Sequence, residues 1–587
     1  MYKLIGSGDI NNILQQVLTN RGVDSVTEFT TYLEPSIENE ESYKKLNSID
    51  LGLELFMKHA GNNNPAEIVL VVDRDLDGMT SSAIIHNYMN TVFPNVAVTH
   101  IHHDRRENGL TKSIMSKISK LENKPNLVIL PDASSNDKVQ HEYLNEQGID
   151  VLVLDHHEVN NEITDSPNTV VINPQLSPNY ENKQIAGVGV TYRFLQALDD
   201  SNGVEHADDL IALVALGNIS DSMDLRYADV RSIVMRGLPK MHEHKFVNEA
   251  IFKLKHSKQP LSIHALSWSV LPKINALIRV GDIEDLDFLY GALRGLEGTF
   301  ENANARSEKN RIETWEKKAV RLCINAFNRQ KTKREKIVED IVEFVNQEGL
   351  NEYGVLIIPM KYDFESLTGY VAGNVVNRFD KSVALMSYNE EEDLYYGSIR
   401  GLESNTPNFK TFLEQSGAVE WVRGHEMAAG ICIKPENLDK LYKYIETTHK
   451  SGEDVTYEVD FVVDYKDITP EFVKEIDNLE QYWCKGVEPP VFYIKNARLP
   501  LSRFKYGEKI SKFEDSGLEI GMFSTPTTFA ENEGTPQIAV ADIVGKLSIN
   551  RFYNFRARKD MITPQILCEG FNIEKIEAEE HTFGFDF

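Results

Sequence analysis

Between residues 66 and 172 the chain repeats one pattern, a short apolar run followed by a stretch with helical spacing. The runs are Ile68–Val72, Val96–Ile101, Leu127–Leu130, Val151–Leu154 and Val170–Ile172. Runs this short, apolar throughout and separated by helices, mark parallel strands buried on both faces. The expected fold class is therefore α/β, built on a doubly wound parallel sheet. In such sheets ligands bind beyond the carboxyl ends of the strands. Chemistry is expected in the residues that follow each run.

The first run leads into Asp73-Arg-Asp75-Leu-Asp77-Gly78-Met-Thr80-Ser81. Three carboxylates at alternate positions are not a packing device, because an unpaired buried carboxylate is costly. Gly78 permits a turn, and Thr80 or Ser81 is expected to cap the next helix. The third run ends in Pro131-Asp132-Ala133-Ser134-Ser135 and the fourth in Asp155-His156-His157. A further apolar helix, Leu210–Leu216, leads into Gly217-Asn-Ile-Ser-Asp221. Acidic or histidine groups recurring at one rim point to bound metal rather than to solvated turns. Carboxylates with one imidazole suit manganese or magnesium better than zinc. Two such ions sharing a carboxylate recur in the cleavage of phosphate esters.

In order and spacing, these segments resemble those of the DHH phosphoesterase superfamily. Further on, Leu271-Pro-Lys-Ile-Asn275-Ala-Leu-Ile-Arg279 looks like the family's connecting segment. Gly397-Ser398-Ile-Arg400 and Arg423-Gly424-His425-Glu-Met-Ala428-Ala-Gly430 look like its DHH-associated domain. Leu479-Glu480 with Gly486-Val-Glu488-Pro-Pro-Val-Phe492 resembles the start of an OB-like domain. That order is similar to the RecJ subfamily, single-strand-specific 5′ exonucleases, over residues 70 to 550 or so.

The resemblance implies that Asp73, Asp75, Asp132, His156 and Asp221 ligate two divalent cations, Mn²⁺ in preference to Mg²⁺, with Asp132 bridging. Asp77, Asp155 and His157 would stand behind them, orienting ligands or the attacking water. Arg105, Arg279, Ser398 and Arg400 would contact phosphate, with Arg106, Asn275 and Gly424 as further substrate positions. His425 would sit beside the scissile phosphate. Asp75, Asp132, His156, His157 and His425 form the implied catalytic set. Some positions depart from the family. Arg74 and Leu76 replace an aromatic and a small residue, Ala-Ser-Ser follows Asp132, and Arg423 replaces a glycine. His102-His103-Asp104-Arg105-Arg106-Glu-Asn-Gly109 lacks the usual proline and Gly-Tyr-Gly, which leaves Arg105 and Arg106 as alternatives. Val69 stands where related pyrophosphatases carry a metal-binding histidine, so the ion held by Asp73 is expected to be the weaker.

The implied layout is a helical segment (1–65), the DHH domain (66–235), a helical connector (236–345), the DHH-associated domain (346–452), an OB-like domain (453–573) and an acidic aromatic tail (574–587). In the connector, Ile312, Trp315, Ala319, Leu322 and Ala326 keep helical spacing, and residues 301–340 carry a local charge of +4 within a chain of net charge −28. That patch is either a solvated helix face or a surface that tracks phosphates. Gly187-Val-Gly189 begins like a dinucleotide fingerprint but lacks its continuation, so close helix packing is expected. His100, His102 and His103 suggest a metal site, but alternation on a strand puts only two of them on one face, so they are read as substrate lining or ordinary surface.

In the OB-like segment, Phe504, Tyr506, Phe552, Tyr553 and Phe555 are interleaved with basic residues, as stacking platforms for single strands are. The tail ends in Phe583, Phe585 and Phe587. It is read either as a strand completing that domain or as a docking peptide for a single-strand-binding, replication or repair protein. Four scattered cysteines, no apolar run of membrane length and no secretory leader fit a cytoplasmic protein without membrane partners. The function implied is a two-metal 5′→3′ exonuclease. It would release mononucleotides from single-stranded DNA in repair, recombination or replication. The rivals are a DHH phosphodiesterase acting on short RNA or cyclic dinucleotides, and a catalytically weak replication scaffold.

Overall fold

The computed structural model describes residues 2–578 apart from 62–65, 105–106, 161, 164–165, 255–260, 303–310, 362–366, 380, 403–404, 407, 449–455, 508–509, 523–528, 530 and 555–558, and apart from the side chains of 552–554. Two compact units are formed. One comprises Arg21–Asn328 with Glu480–Glu488, the other Met1–Asn20, Arg329–Leu479 and Pro489–Phe587.

The first unit is built on strands β1 (Glu67–Val72), β2 (Ala97–His102), β3 (Leu127–Pro131), β4 (Asp150–Leu154) and β5 (Thr169–Ile172). They pair in parallel in the order β2-β1-β3-β4-β5. Each coincides with one of the apolar runs, and the expected α/β architecture is the one the chain adopts. The reason lies in the alternation of side chains. Ile68, Leu70 and Val72 enter a core shared with helices α1 (Leu76–Val92), α4 (Gly187–Asn202) and α5 (Ile211–Ser220). Val69 and Val71 point the other way, to a core shared with α2 (Lys112–Ser119) and α3 (Lys138–Glu146). Burying each such side chain is worth about 1.5–3 kcal/mol, so neither face tolerates a polar residue. The strand order reverses between β1 and β3, which opens a crevice at their carboxyl ends.

Sequence and structure differ in several places around this frame. The helix expected to be capped by Thr80 or Ser81 is capped by Asp75, whose Oδ1 accepts from the Gly78 amide at 2.8 Å. Thr80 lies inside the helix and donates to the Leu76 carbonyl at 2.8 Å. Ile312 belongs to a short strand, Ile312–Thr314, and is exposed. The boundary at 235/236 falls within the helix Ala228–Lys240, and that at 345/346 within a single 33-residue helix, α7 (Trp315–Gln347). In that helix Lys318 lies 3.3 Å from the centre of the Phe288 ring, and Arg321 pairs with Glu313, so part of the basic patch is used internally. Glu480–Glu488 packs with the first unit rather than with the OB-like domain it adjoins in sequence. The Lys485 carbonyl accepts from the Leu225 amide at 3.1 Å, and the Arg231 guanidinium stacks on Tyr32 below Cys484.

Among the described residues the second unit holds two large sheets and one two-stranded sheet. The first contains β6 (Leu356–Met360), β7 (Val383–Asn389), β8 (Leu394–Arg400), β9 (Val419–His425) and β10 (Ala428–Ile433), in the order β9-β10-β8-β7-β6. Helix α8 (Thr368–Phe379) belongs to the same unit. The other is a seven-stranded, largely antiparallel sheet in which Gln537–Asn554 pairs with Lys559–Ala578 along its length. It matches the β-rich, OB-like domain expected. Residues 574–578, assigned to the tail, are part of that last strand, and 579–587, with all three tail phenylalanines, lie outside the described residues. Tyr2–Leu4, within the segment expected to be helical, pairs in parallel with Tyr457–Val459. Among the described residues no helix is long and apolar enough to cross a membrane.

Candidate active site

The crevice between β1 and β3 gathers the acidic and histidine groups. Asp73 and Asp75 follow β1, Asp132 follows β3, Asp155, His156 and His157 follow β4, and Asp221 ends α5. Two ligand sets with no residue in common result, one of Asp73, Asp75 and Asp132, the other of Asp77, His156 and Asp221, and a third set of Asp132, His156 and His157 overlaps both. His156 Nε2 lies 3.2 Å from Asp132 Oδ1, 3.6 Å from Asp221 Oδ2 and 3.9 Å from Asp77 Oδ2. Asp132 therefore faces both sets. Its Oδ1 is buried without a hydrogen-bond partner, as is Asp73 Oδ1. Buried carboxylate oxygens left without donors fit divalent cations as their counter-charge.

Backbone geometry presses these groups together. Asp132 (φ 68°) and Ser134 (φ 86°) both occupy the left-handed region, a strained conformation of the kind that persists at functional sites. Ser134 thus adopts, as a serine, a conformation that favours glycine. Asp77 is fully buried. Its Oδ2 accepts from the Gly187 amide at 2.7 Å and its Oδ1 from the Val188 amide at 2.9 Å, so the first turn of α4 holds the carboxylate. Gly187 is needed for this approach, since a Cβ there would stand 2.7 Å from Asp132 Cγ. The Gly187-Val-Gly189 segment is thus a packing element, as expected, and also a clamp on Asp77. Asp77 combines the orienting place expected of it with a place in the ligand ring.

Behind the ring, Asp155 accepts from the His156 amide (2.7 Å), the His157 amide (3.2 Å) and the Ser135 amide (3.0 Å). His157 Nδ1 donates to it at 2.8 Å. These bonds hold Asp155 well below the usual carboxylate range despite its burial, and the bond to Asp155 pushes His157 up to about 9. His157 is therefore an imidazolium at neutral pH, beside the ring and half exposed. His156 is pushed down by burial and by the His157 charge, which keeps it neutral and able to bind a metal.

Asp75, Asp77, Asp221 and Asp132 rise. Burial and the Asp73 charge bring Asp75 to about 6 even though its tip reaches solvent; burial and Asp75 bring Asp77 to about 7. Burial and Asp77 bring Asp221 to about 6, and burial with the charges of Asp77, Asp75 and Asp73 raises Asp132 further. A carboxyl with a raised folded-state pKa gives stability that is present at low pH and lost as pH rises through that value. The window here runs from the unfolded carboxyl value of about 4 up to the folded values of about 6 and about 7. The metal-free chain is expected to melt at falling temperature from about pH 4 to about pH 7 and to level off above it, and Mn²⁺ to abolish the fall, with release of on the order of two protons near pH 6. A melting temperature independent of pH in EDTA would contradict this.

A cavity of about 210 Å³ opens beside the ring, lined by Asp75, Asp77, Asp221, Asn275 and Arg279 among others. Asn275 and Arg279 project from α6 (Leu271–Val280), which Arg74 ties to the rim by donating to the Ile278 (3.0 Å) and Gly281 (2.6 Å) carbonyls. The unexpected arginine after Asp73 thus has a structural task. Arg105 and Arg106 lie outside the described residues. In the second unit, Arg400 and His425 pair with the same residue, Ala428, from opposite sides of β10. Ser398 lies two residues before Arg400, and Gly369 of α8 packs on both side chains. Gly424 (φ 128°) brings β9 so close to Ala429 that a side chain would collide.

The model of the "DHH family, N-terminal domain" matches residues 67–218. The chain is 31% identical, over 99% of its own length and 100% of the relative's, to the "Putative SPbeta prophage-derived single-strand DNA-specific exonuclease YorK" of Bacillus subtilis. This chain belongs to the RecJ family of DHH phosphoesterases. The RecJ exonuclease of Bacillus subtilis is 25% identical over 86% of this chain and 62% of its own. The RecJ fold extends beyond the catalytic unit. RecJ of Thermus thermophilus in complex with Mn²⁺ superposes with a TM-score of 0.63, at 17% identity, over 97% of this chain and 79% of that one.

Two expectations fail against this RecJ-like frame. Phe504, read as a stacking platform, is core: it packs on Phe513 (4.9 Å between ring centres) and Phe529 (5.9 Å), because its strand alternates inward at that position. The basic residues nearby are paired, Arg503 with Asp515, Lys505 with Glu514 and Arg551 with Asp477. Tyr506 is 53% exposed and remains available for stacking. Phe552 and Tyr553 lie on a strand whose side chains there are not described, and Phe555 lies outside the described residues. The other failure lies in the histidine row, where His102 is buried rather than a surface residue and so is His103. Its place beside Asp73 comes from the pairing of β2 with β1, which composition does not reveal.

Proposed function

We propose that the chain is a divalent-metal-dependent exonuclease that degrades single-stranded DNA from its 5′ end to mononucleotides, acting in the cytoplasm in DNA repair, recombination or replication. The observation that carries this reading is Asp132, buried between two ligand sets with an Oδ1 that has no hydrogen-bond partner. Asp73 and Asp75 on one side, and Asp77, His156 and Asp221 on the other, would hold two ions, Mn²⁺ in preference to Mg²⁺. Bound there, such ions supply Lewis acidity for the attack of water on phosphorus and neutralise the charge that builds up. The protein does the rest. Asn275 and Arg279 hold phosphate oxygens in the adjoining cavity, and the His157 imidazolium offsets charge beside the ring. Asp155 fixes the His157 ring and, through the His156 amide, the turn that carries His156. The YorK and RecJ relatives named as single-strand-specific exonucleases support this substrate.

Polarity is assigned to the second unit, where Ser398 and Arg400 would receive the 5′ phosphate and His425 a neighbouring phosphate. Oligonucleotides labelled at either end test the direction. The 5′ label is expected to leave as a mononucleotide from the first turnover, while the 3′ label stays in shortening fragments. Early release of the 3′ label as a mononucleotide would overturn the assignment. Arg400→Ala removes a charge-assisted contact worth about 1.5–3 kcal/mol, so preference for phosphorylated over hydroxyl 5′ ends should fall about 10- to 150-fold. Equal losses on both kinds of end would assign Arg400 another task.

A further inference from the structure

β2 is the outermost strand of the sheet order, and His100 and His102, two residues apart on it, present their rings on one face. Both rings turn to the helix Ile283–Leu293. His100 Nε2 and His102 Nε2 each lie 3.1 Å from Asp287 Oδ1, and the three ligand atoms lie within 4.8 Å of one another. Tyr290, from the same helix, packs on both rings, its ring centre 4.7 Å from that of His100 and 5.6 Å from that of His102. Tyr290 is itself pinned, since its hydroxyl donates to the Ser82 carbonyl at 3.2 Å and lies 3.1 Å from His86 Nδ1. Two imidazoles and a carboxylate thus converge from two elements that packing already holds in place. His102 is buried, His100 is half-buried and Asp287 is half exposed, which gives an ion a way in from solvent.

Donor type decides which ion fits. Imidazoles outnumber the carboxylate two to one, the reverse of the crevice, and such a set suits Zn²⁺ rather than Mn²⁺ or Mg²⁺. Ligand atoms on a tetrahedral Zn²⁺ with bonds of about 2.0–2.1 Å stand about 3.3 Å apart. The two 3.1 Å separations are close to that spacing. Burial pushes His100 down from its ordinary value in spite of its bond to Asp287, and the bonds from His102 and His100 hold Asp287 below the usual carboxylate range. A neutral imidazole and an ionised carboxylate are the forms that bind a metal. We propose that His100, His102 and Asp287 form a Zn²⁺ site, with water in the fourth position, that staples the outermost strand to the helix Ile283–Leu293. The site shares no residue with the acidic crevice, and alternation turns His103 away from it, toward Asp73.

The test is Zn²⁺ titration of the full-length chain kept saturated with Mn²⁺, with any released Mn²⁺ read by electron paramagnetic resonance. Wild type is expected to take up one Zn²⁺ per chain without releasing Mn²⁺, and to melt at higher temperature once it is bound. His100→Ala and Asp287→Ala, both at positions that reach solvent, should each lose that ion and the rise in melting temperature while keeping the wild-type Mn²⁺ content. Co²⁺ in place of Zn²⁺ should give the intense visible absorption of a tetrahedral site in wild type and in neither variant. Zn²⁺ uptake that the variants retain would overturn the inference. So would uptake that occurs only as Mn²⁺ is expelled, since that ion sits in the crevice. Should both variants fail to fold, wild type decides. No Zn²⁺ bound alongside Mn²⁺, or Co²⁺ bound without tetrahedral absorption, would overturn the site and leave the three residues joined by hydrogen bonds alone.

Discussion

Asp132→Ala is expected to lower hydrolysis of single-stranded DNA by on the order of 10³-fold or more, and to raise the melting temperature of the metal-free chain. Both effects have one cause. Asp132 is the carboxylate that faces both ligand sets, and without cations it is a buried acid forced up by burial and by four neighbouring aspartates. Removing it relieves that repulsion and removes the shared ligand. Affinity for single strands should persist, because the OB-like sheet is built separately from the crevice. Initial rates with saturating Mn²⁺, alongside melting curves in EDTA, check the pair of outcomes. Near-normal turnover would contradict the role assigned to Asp132, and a lower apo melting temperature would contradict the electrostatic account of the site.

Gly187→Ala is expected to cost about 10²–10³-fold in turnover although Gly187 has no side chain to contribute. A Cβ at this position meets Asp132, and moving α4 away to make room withdraws the two amides that hold Asp77. Overpacking of this kind costs about 1–3 kcal/mol of stability. The variant should therefore melt at lower temperature and bind Mn²⁺ more weakly. Wild-type turnover and Mn²⁺ affinity together would show that the close packing of α4 on Asp132 is incidental.

Much of the catalytic unit was legible in the sequence because a doubly covered parallel sheet leaves an unmistakable trace. Every residue from Ile68 to Val72 is buried, so the run is apolar at each position, and the first residue that breaks it, Asp73, is the first at the crevice. Asp132 and Asp155 end their runs in the same way. What the sequence conceals depends on pairing. His103 looks like the third of a histidine cluster until the register of β1 and β2 sets it against Asp73. Gly187 and Val188 act through backbone amides, which every sequence possesses. Phe504 illustrates the converse, since core and platform aromatics share one composition, and only the packing on Phe513 and Phe529 separates them. The N-terminal strand Tyr2–Leu4 escaped notice because three residues are too few for periodicity and the partner lies at Tyr457–Val459.

The central claim is that the acidic rim at the switch point is a divalent-metal centre that cuts single-stranded DNA. The most direct test strips the full-length chain of metal, verifies its fold by its melting curve, and supplies 5′-labelled single strands with and without Mn²⁺. The account predicts no release in the metal-free chain and labelled mononucleotides once Mn²⁺ is restored. Equal release in the absence of metal, or no release from a folded, Mn²⁺-loaded chain, would contradict it.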